Sequence, residues 1–156
     1  MIDRTFKSCC GELIAEYSEN IATVVPLRAR PLESLPANAD DDAALAAEVR
    51  LWGAWEGKLA VCMSAVLART IAAALWRLAP EEISDETTLD TVREVANVIA
   101  GGVKAAVLPP STDMSTPVNF AATWETIGRE ASSAGAVAYF RVDTSYVAIV
   151  LASDAC

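Results

Sequence analysis

From Asp85 to Leu108, where Pro109-Pro110 forbids continuation, Leu89, Val92, Ala96, Ile99, Val103 and Val107 recur at steps of three or four residues. That spacing predicts a helix with one long apolar stripe, which is stable only if other elements cover it. The rest of the chain supplies the cover. Phe6, Cys10, Leu13, Ile14 and Tyr17 repeat at helical spacing and predict an opening amphipathic helix of about four turns. Leu67, Ile71, Leu75 and Leu78 give a further buried helix, with Ser64 as its N-cap and Pro80 beyond its end.

Strand signals lie between the helices. Val49, Leu51 and Gly53 alternate with Arg50, Trp52 and Ala54, Glu56-Gly57 makes a turn, and Lys58 to Met63 resumes the extended pattern, so this segment predicts a hairpin. Ile21 to Arg28 is rich in β-branched residues, but Pro26 has no N–H for a ladder and limits it to an edge strand. Arg30 to Ala44, with Pro31, Pro36, Asn38 and Asp40-Asp41-Asp42, reads as an exposed loop. Met114 to Phe120 predicts a strand interrupted by Pro117, and Ala136 to Leu151 a second hairpin turning near Asp143-Thr144-Ser145. The expected order is helix, strand, hairpin, helix, helix, strand, hairpin. It implies an α+β fold in which a largely antiparallel sheet carries helices packed on one side. A chain of 156 residues is about the size of one domain, here 1–156.

Charge and composition exclude several functions. With 21 acidic and 12 basic side chains the formal charge is −9, which repels both a nucleic-acid backbone and an anionic membrane surface. No apolar run reaches the roughly 18 residues of a spanning helix. The start, Met1 to Ser8, lacks the apolar core of a secretory signal. We therefore expect a cytoplasmic protein that binds neither nucleic acid nor membrane. Cys9, Cys10, Cys62 and Cys156 have no metal-site spacing and are expected as reduced thiols. Cys9 and Cys10 point about 100° apart on a helix, so one of the two should face the core. Trp52, Trp55, Trp76 and Trp124 read as core or dimer anchors. The chain has no histidine, which removes the commonest general base, the commonest metal ligand and every Ser-His or Cys-His pair. Ser111, Ser115 and Ser145 are then nucleophiles without a base.

Beside the apolar stripe of the long helix runs a second line, Asp90, Glu94, Asn97, Gly101 and Lys104, whose mean direction lies about 130° away. Helix stability does not explain it. Asp90 and Glu94 are like charges four apart, and Gly101 and Gly102 each cost roughly 1 kcal/mol relative to alanine. The whole choice costs about 2–3 kcal/mol that alanine, glutamate or lysine would have avoided. Bare glycine on an outward face lets another backbone approach, although the same glycines would equally serve tight helix packing inside the fold. A carboxylate and a carboxamide one turn apart can bind a cation and hold a water. The line reads as a docking strip. Two alternatives stay open at this point: an ordinary solvated face, and, for Asp90, a capping box with Thr87.

The segment Asp90-Thr91-Val92-Arg93-Glu94-Val95-Ala96-Asn97-Val98-Ile99-Ala100-Gly101 resembles the D/S-x-x-x-E-x-x-N signature of the CheC, CheX and FliY chemotaxis phosphatases. Similar context continues at Leu51-Trp52-Gly53, Gly57-Lys58-Leu59 and Met114-Ser115-Thr116-Pro117-Val118, so about two-thirds of the chain is covered. Gly102 stands where the family pattern has asparagine. A single copy of the signature is similar to CheX, whereas CheC-like members carry two. The resemblance implies a phosphatase acting on the aspartyl phosphate of a phosphorylated CheY-like response regulator in chemotaxis signalling. It further implies Asn97 positioning the attacking water, Glu94 meeting the receiver's lysine, and Asp90, Gly101 and Lys104 contacting the partner. No metal site or cofactor of the chain's own is expected, since Mg2+ comes with the receiver. A homodimer is implied as well. The competing expectation is a non-catalytic module of the same fold that only docks a receiver or a flagellar-switch component. A small-ligand domain would instead carry its polar groups in a pocket.

Overall fold

The computed structural model describes residues 2–21, 28–41, 43–132 and 135–154. In chain order the elements are helix α1 (Ile2–Ile21), strand β1 (Ala29–Leu32), a 3-10 turn (Ala37–Asp41), the hairpin β2 (Ala44–Gly53) and β3 (Gly57–Ser64), and helix α2 (Ala65–Trp76). A second 3-10 turn (Pro80–Glu82), helix α3 (Asp85–Ala106), the short strands β4 (Thr112–Met114) and β5 (Val118–Phe120), helix α4 (Trp124–Ser132) and the hairpin β6 (Ala136–Val142) and β7 (Ser145–Ser153) complete it.

All strand pairs are antiparallel, in the order β1-β6-β7-β3-β2-β4, with β5 also paired to β2. The fold is therefore α+β on an antiparallel sheet, as the sequence implies. Because strand side chains alternate between faces, the longer strands β2, β3, β6 and β7 feed two cores. One face places Val49, Leu51, Leu59, Val61, Phe140 and Ile149 against Phe6, Ile71, Val92 and Ile99 of α1, α2 and α3. Each large aliphatic side chain sealed there contributes about 1.5–3 kcal/mol. The other face places Ala46, Cys62, Ala148 and Val150 under Trp124 and Ile127 of α4, where Trp124 meets Tyr146 edge to face.

α4 has no counterpart among the sequence expectations, and it covers the face opposite α1, α2 and α3, whereas the sequence pattern implies helices on one side only. Thr123 and Thr126 build its start reciprocally, the Thr126 N–H donating to Thr123 Oγ1 (3.1 Å) and the Thr123 N–H to Thr126 Oγ1 (2.9 Å). The expected loop from Arg30 to Ala44 is corrected at both ends. Arg30–Leu32 belongs to β1, with Pro31 tolerated because β1 is an edge strand that, among the described residues, pairs only with β6, and Ala44 opens β2. Of the strand expected over Ile21 to Arg28, residues 22–27 lie outside the described residues, and Ile21 ends α1.

Three local expectations also change. Ser64 flanks α2 but makes no side-chain cap; its Oγ is fully buried and accepts from the Tyr146 N–H at 2.9 Å, tying β3 to β7. α2 stops at Trp76, with Arg77 in the left-handed region at φ 54°. Leu67 and Ile71 are buried as expected, but Leu75, in the exposed last turn of the helix, and Leu78, beyond its end, are 43% and 45% exposed. Cys9 and Cys10 are both buried, since α1 lies between β6 and α3 and is covered on two sides. Cys156 lies outside the described residues. Of the tryptophans, Trp124 is core on the α4 face and Trp55 packs against the core on the other face, whereas Trp52 and Trp76 are exposed.

The interrupted strand is real. β4 pairs with Leu51–Gly53 and β5 with Ala46–Glu48, end to end along one side of β2. In the gap, Ser115 keeps the ladder satisfied: its N–H donates to the Arg50 carbonyl (2.9 Å) and its Oγ accepts from the Arg50 N–H (2.8 Å).

Candidate functional site

α3 begins where Ser84 Oγ accepts from the Thr87 N–H at 3.1 Å, with Asp85 and Glu86 in the first turn and Lys104 in the last, each charge placed with the helix dipole. Thr88, Thr91, Val92, Val95, Ala96, Ile99, Ala100 and Val103 are buried, which fixes the helix about its own axis. The opposite line is then presented outward. Asp90, Glu94 and Asn97 are exposed, and Gly101 and Lys104 are half-buried. Among the described residues the side chains of Glu94 and Asn97 have no hydrogen-bond or ion-pair partner, so both are free to meet another molecule.

Asp90 is different. The capping role with Thr87 is overturned, because the cap is Ser84 and Asp90 lies in the second turn. Its carboxylate pairs with Arg93, three residues on. Arg93 in turn donates to Asn119 Oδ1, and the Asn119 amide donates to the carbonyls of Ala46 and Leu89, each at 3.3 Å. Asn119 thus clamps β2, β5 and α3 together at the turn that carries Glu94. No sequence signal points to it, because a polar residue on a short strand 26 positions from its partner has no spacing to read.

The two glycines separate. A Cβ at Gly101 would meet nothing within 4 Å, whereas one at Gly102 would lie 2.4 Å from a methyl of Leu13. Gly101 is an open gap in the outward line, and Gly102 is the seat of α1 on α3, which is why no larger residue stands there. Beneath Glu94 the Tyr17 hydroxyl is buried without a partner; burial, then the Glu94 charge, push its pKa up to about 12. A cavity inside the core is lined by Tyr17 and by apolar side chains such as Ile14, Val61, Leu67, Ile71 and Ile99. Asp90, Glu94 and Asn97 do not line that cavity and lie on the outward face of α3.

A family model for the chemotaxis phosphatase CheX matches residues 45–141, more than half of the chain. The chain belongs to the CheX family. Solved structures agree on the fold. The CheX of Vibrio vulnificus superposes with TM-score 0.68 at 16% identity, covering 97% of this chain and 95% of that one. The CheX of Desulfovibrio desulfuricans gives 0.65 at 15%, covering 98% and 99%. A CheX-CheY-BeF3-Mg2+ complex from Borrelia burgdorferi gives 0.60 at 19%, covering 96% and 97%. No sequence among the curated proteins matches. Among the described residues no helix is long and apolar enough to cross a membrane, and no group of three or more His, Cys, Asp or Glu could hold a metal ion.

One neighbour of the strip escaped the sequence pattern. Leu75 and Trp76, at the exposed end of α2, form one wall of an open groove whose other wall is Asp90, Thr91 and Glu94. Leu75 reads as core from its spacing alone, since periodicity records which face a side chain shares but not whether the core reaches that far along the helix.

Proposed function

We propose that this CheX-family chain hydrolyses the aspartyl phosphate of a phosphorylated CheY-like receiver domain. The observation that carries the reading is the pair Glu94 and Asn97, displayed together on the outer face of α3 with no hydrogen-bond or ion-pair partner among the described residues. Glu94 forms a charge-assisted bond with the lysine beside the receiver's phosphoryl group. Gly101 lets the receiver's backbone approach, and Asp90 and Lys104 flank the contact. The Asn97 carboxamide accepts from and donates to one water and holds it in line with phosphorus without titrating. That water attacks phosphorus, the bond from phosphorus to the aspartyl oxygen breaks, and the products are inorganic phosphate and a free carboxylate. Mg2+ travels with the receiver, and catalysis here is positioning and electrostatics. The absent histidine is no obstacle, because no step needs a titrating base on this chain.

We propose also that two copies associate. The short outer strands β1, β4 and β5 leave pairing edges at both ends of the sheet, and Trp52 and Val118 are exposed beside one of them. Light scattering of the dilute protein returning 16.5 kDa would reject this.

The test separates the two signature residues. Asn97→Ala should abolish most of the single-turnover rate while leaving binding to a beryllofluoride-activated receiver intact. Glu94→Lys should weaken binding first and reduce its salt sensitivity. Full activity in Asn97→Ala rejects the mechanism, and a panel of phosphorylated receivers left untouched by the parental protein rejects the function.

A further inference from the structure

Leu75 and Trp76 are 43% and 64% exposed at the end of a helix whose earlier turns are buried. Scattered surface leucines are ordinary, but a tryptophan and a leucine lining one groove form a contiguous apolar wall. The facing wall includes Glu94, so the groove is continuous with the strip and any body that meets Glu94 overhangs it. Its charge selects the occupant. Asp90 is already paired with Arg93, whereas Glu94 has no ion pair among the described residues. A second copy of a chain carrying −9 would add acidic surface to an acidic wall. A basic residue, by contrast, is drawn to Glu94 and to the face of the Trp76 ring, and an apolar neighbour of that residue dries the groove.

We propose that this groove between α2 and α3 is a second part of the docking surface, and that it receives an apolar side chain of the receiver carried beside a basic one. The inference rests on the reading of Glu94 and Asn97 as the receiver-contacting pair, and it makes Trp76 the main determinant of affinity. Tryptophan anchors at the centre of an interface dominate binding energy, so Trp76→Ala should weaken the complex about tenfold or more. Trp76→Phe should restore most of that. The loss should fall on affinity, with the single-turnover rate at saturating protein reduced far less than in Asn97→Ala, because the groove does not touch the water.

The experiment titrates a CheY-like receiver, held active with beryllofluoride and Mg2+, into the parental protein, Trp76→Ala, Trp76→Phe and Leu75→Ser, with thermal unfolding of each. Leu75→Ser keeps the test alive should Trp76→Ala fail to fold. Loss of affinity in the alanine and serine variants with rescue by phenylalanine supports the proposal. Parental affinity in both overturns it while the proposed activity stands. A parental protein that binds and dephosphorylates no receiver overturns both. A change from dimer to monomer mass in Trp76→Ala with receiver binding unchanged makes the occupant a second copy, and also overturns it.

Discussion

Two adjacent glycines of α3 should respond oppositely to the same added methyl group. At Gly101 the new Cβ meets nothing within 4 Å, so Gly101→Ala keeps only the helix-propensity gain, about 1 kcal/mol. For a chain of this length that raises the unfolding temperature by about 2–4 °C. At Gly102 the same gain is opposed by Leu13, whose two methyls would lie 2.4 and 2.6 Å from the new carbon and whose Cγ would lie 3.1 Å away. Ordinary carbon contacts are about 3.5–4.0 Å, so Leu13 must move by about an ångström. Leu13 packs against the main core, where overpacking costs about 1–3 kcal/mol. Gly102→Ala should therefore be neutral to about 2 kcal/mol destabilising, and less stable than Gly101→Ala by about 1–3 kcal/mol. Urea unfolding followed by circular dichroism measures both, and a double-mutant cycle with Leu13→Ala should show the clash disappearing. Equal stabilities, or Gly102→Ala the more stable, would refute the assignment of Gly102 to helix packing. Under the proposed function Gly101→Ala carries a second consequence: the better helix should be the poorer binder, because the methyl group would occupy the gap through which that proposal brings the receiver's backbone.

Ser64→Ala should destabilise by about 1–3 kcal/mol in the same unfolding assay, because it strands the buried Tyr146 N–H and not because it uncaps α2. Substituting Tyr17→Phe removes a buried hydroxyl without a partner and should leave stability equal or up to about 1 kcal/mol higher at neutral pH. Tyr17 also sets an alkaline limit. Its folded pKa of about 12 lies above the ordinary 10.0, so below pH 10 the group is protonated in both states and contributes no pH dependence. As pH rises from 10 toward 12 the unfolded chain ionises first and stability falls, a slope that Tyr17→Phe should make shallower in unfolding curves taken across that range.

The elements legible in sequence were those whose period runs long enough to be unambiguous. The α3 stripe, the β2-β3 and β6-β7 hairpins and the break at Pro117 all follow from it, and the outward line through Glu94 and Asn97 follows from the same arithmetic. What escaped depends on contacts between distant segments. α4 is nine residues long with Gly128 inside it, too short to display a period, and it exists because Trp124 and Ile127 find the second face of the sheet. β1 hides behind Pro31, which only an edge position permits. Cys9 turned inward because α1 is covered by both β6 and α3, a second neighbour that no helical wheel reveals.

The sheet order has a consequence for how the molecule is made. β7 is the last of the seven strands to leave a ribosome, yet it lies between β6 and β3 and completes the middle of the sheet. Until it arrives, β3 presents one unpaired edge along Gly57–Met63, and the apolar side chains of β2, β3 and α3 share an unfinished core. At synthesis rates of about 5–20 residues per second, the roughly 90 residues between β3 and the end of β7 take several seconds to follow. The native pairing is also dominated by sequence-distant contacts, which form slowly once the chain is free. Completion of the sheet therefore waits on β7, and a nascent chain stalled before β7 is the form most exposed to chaperones, to proteases and to its own copies.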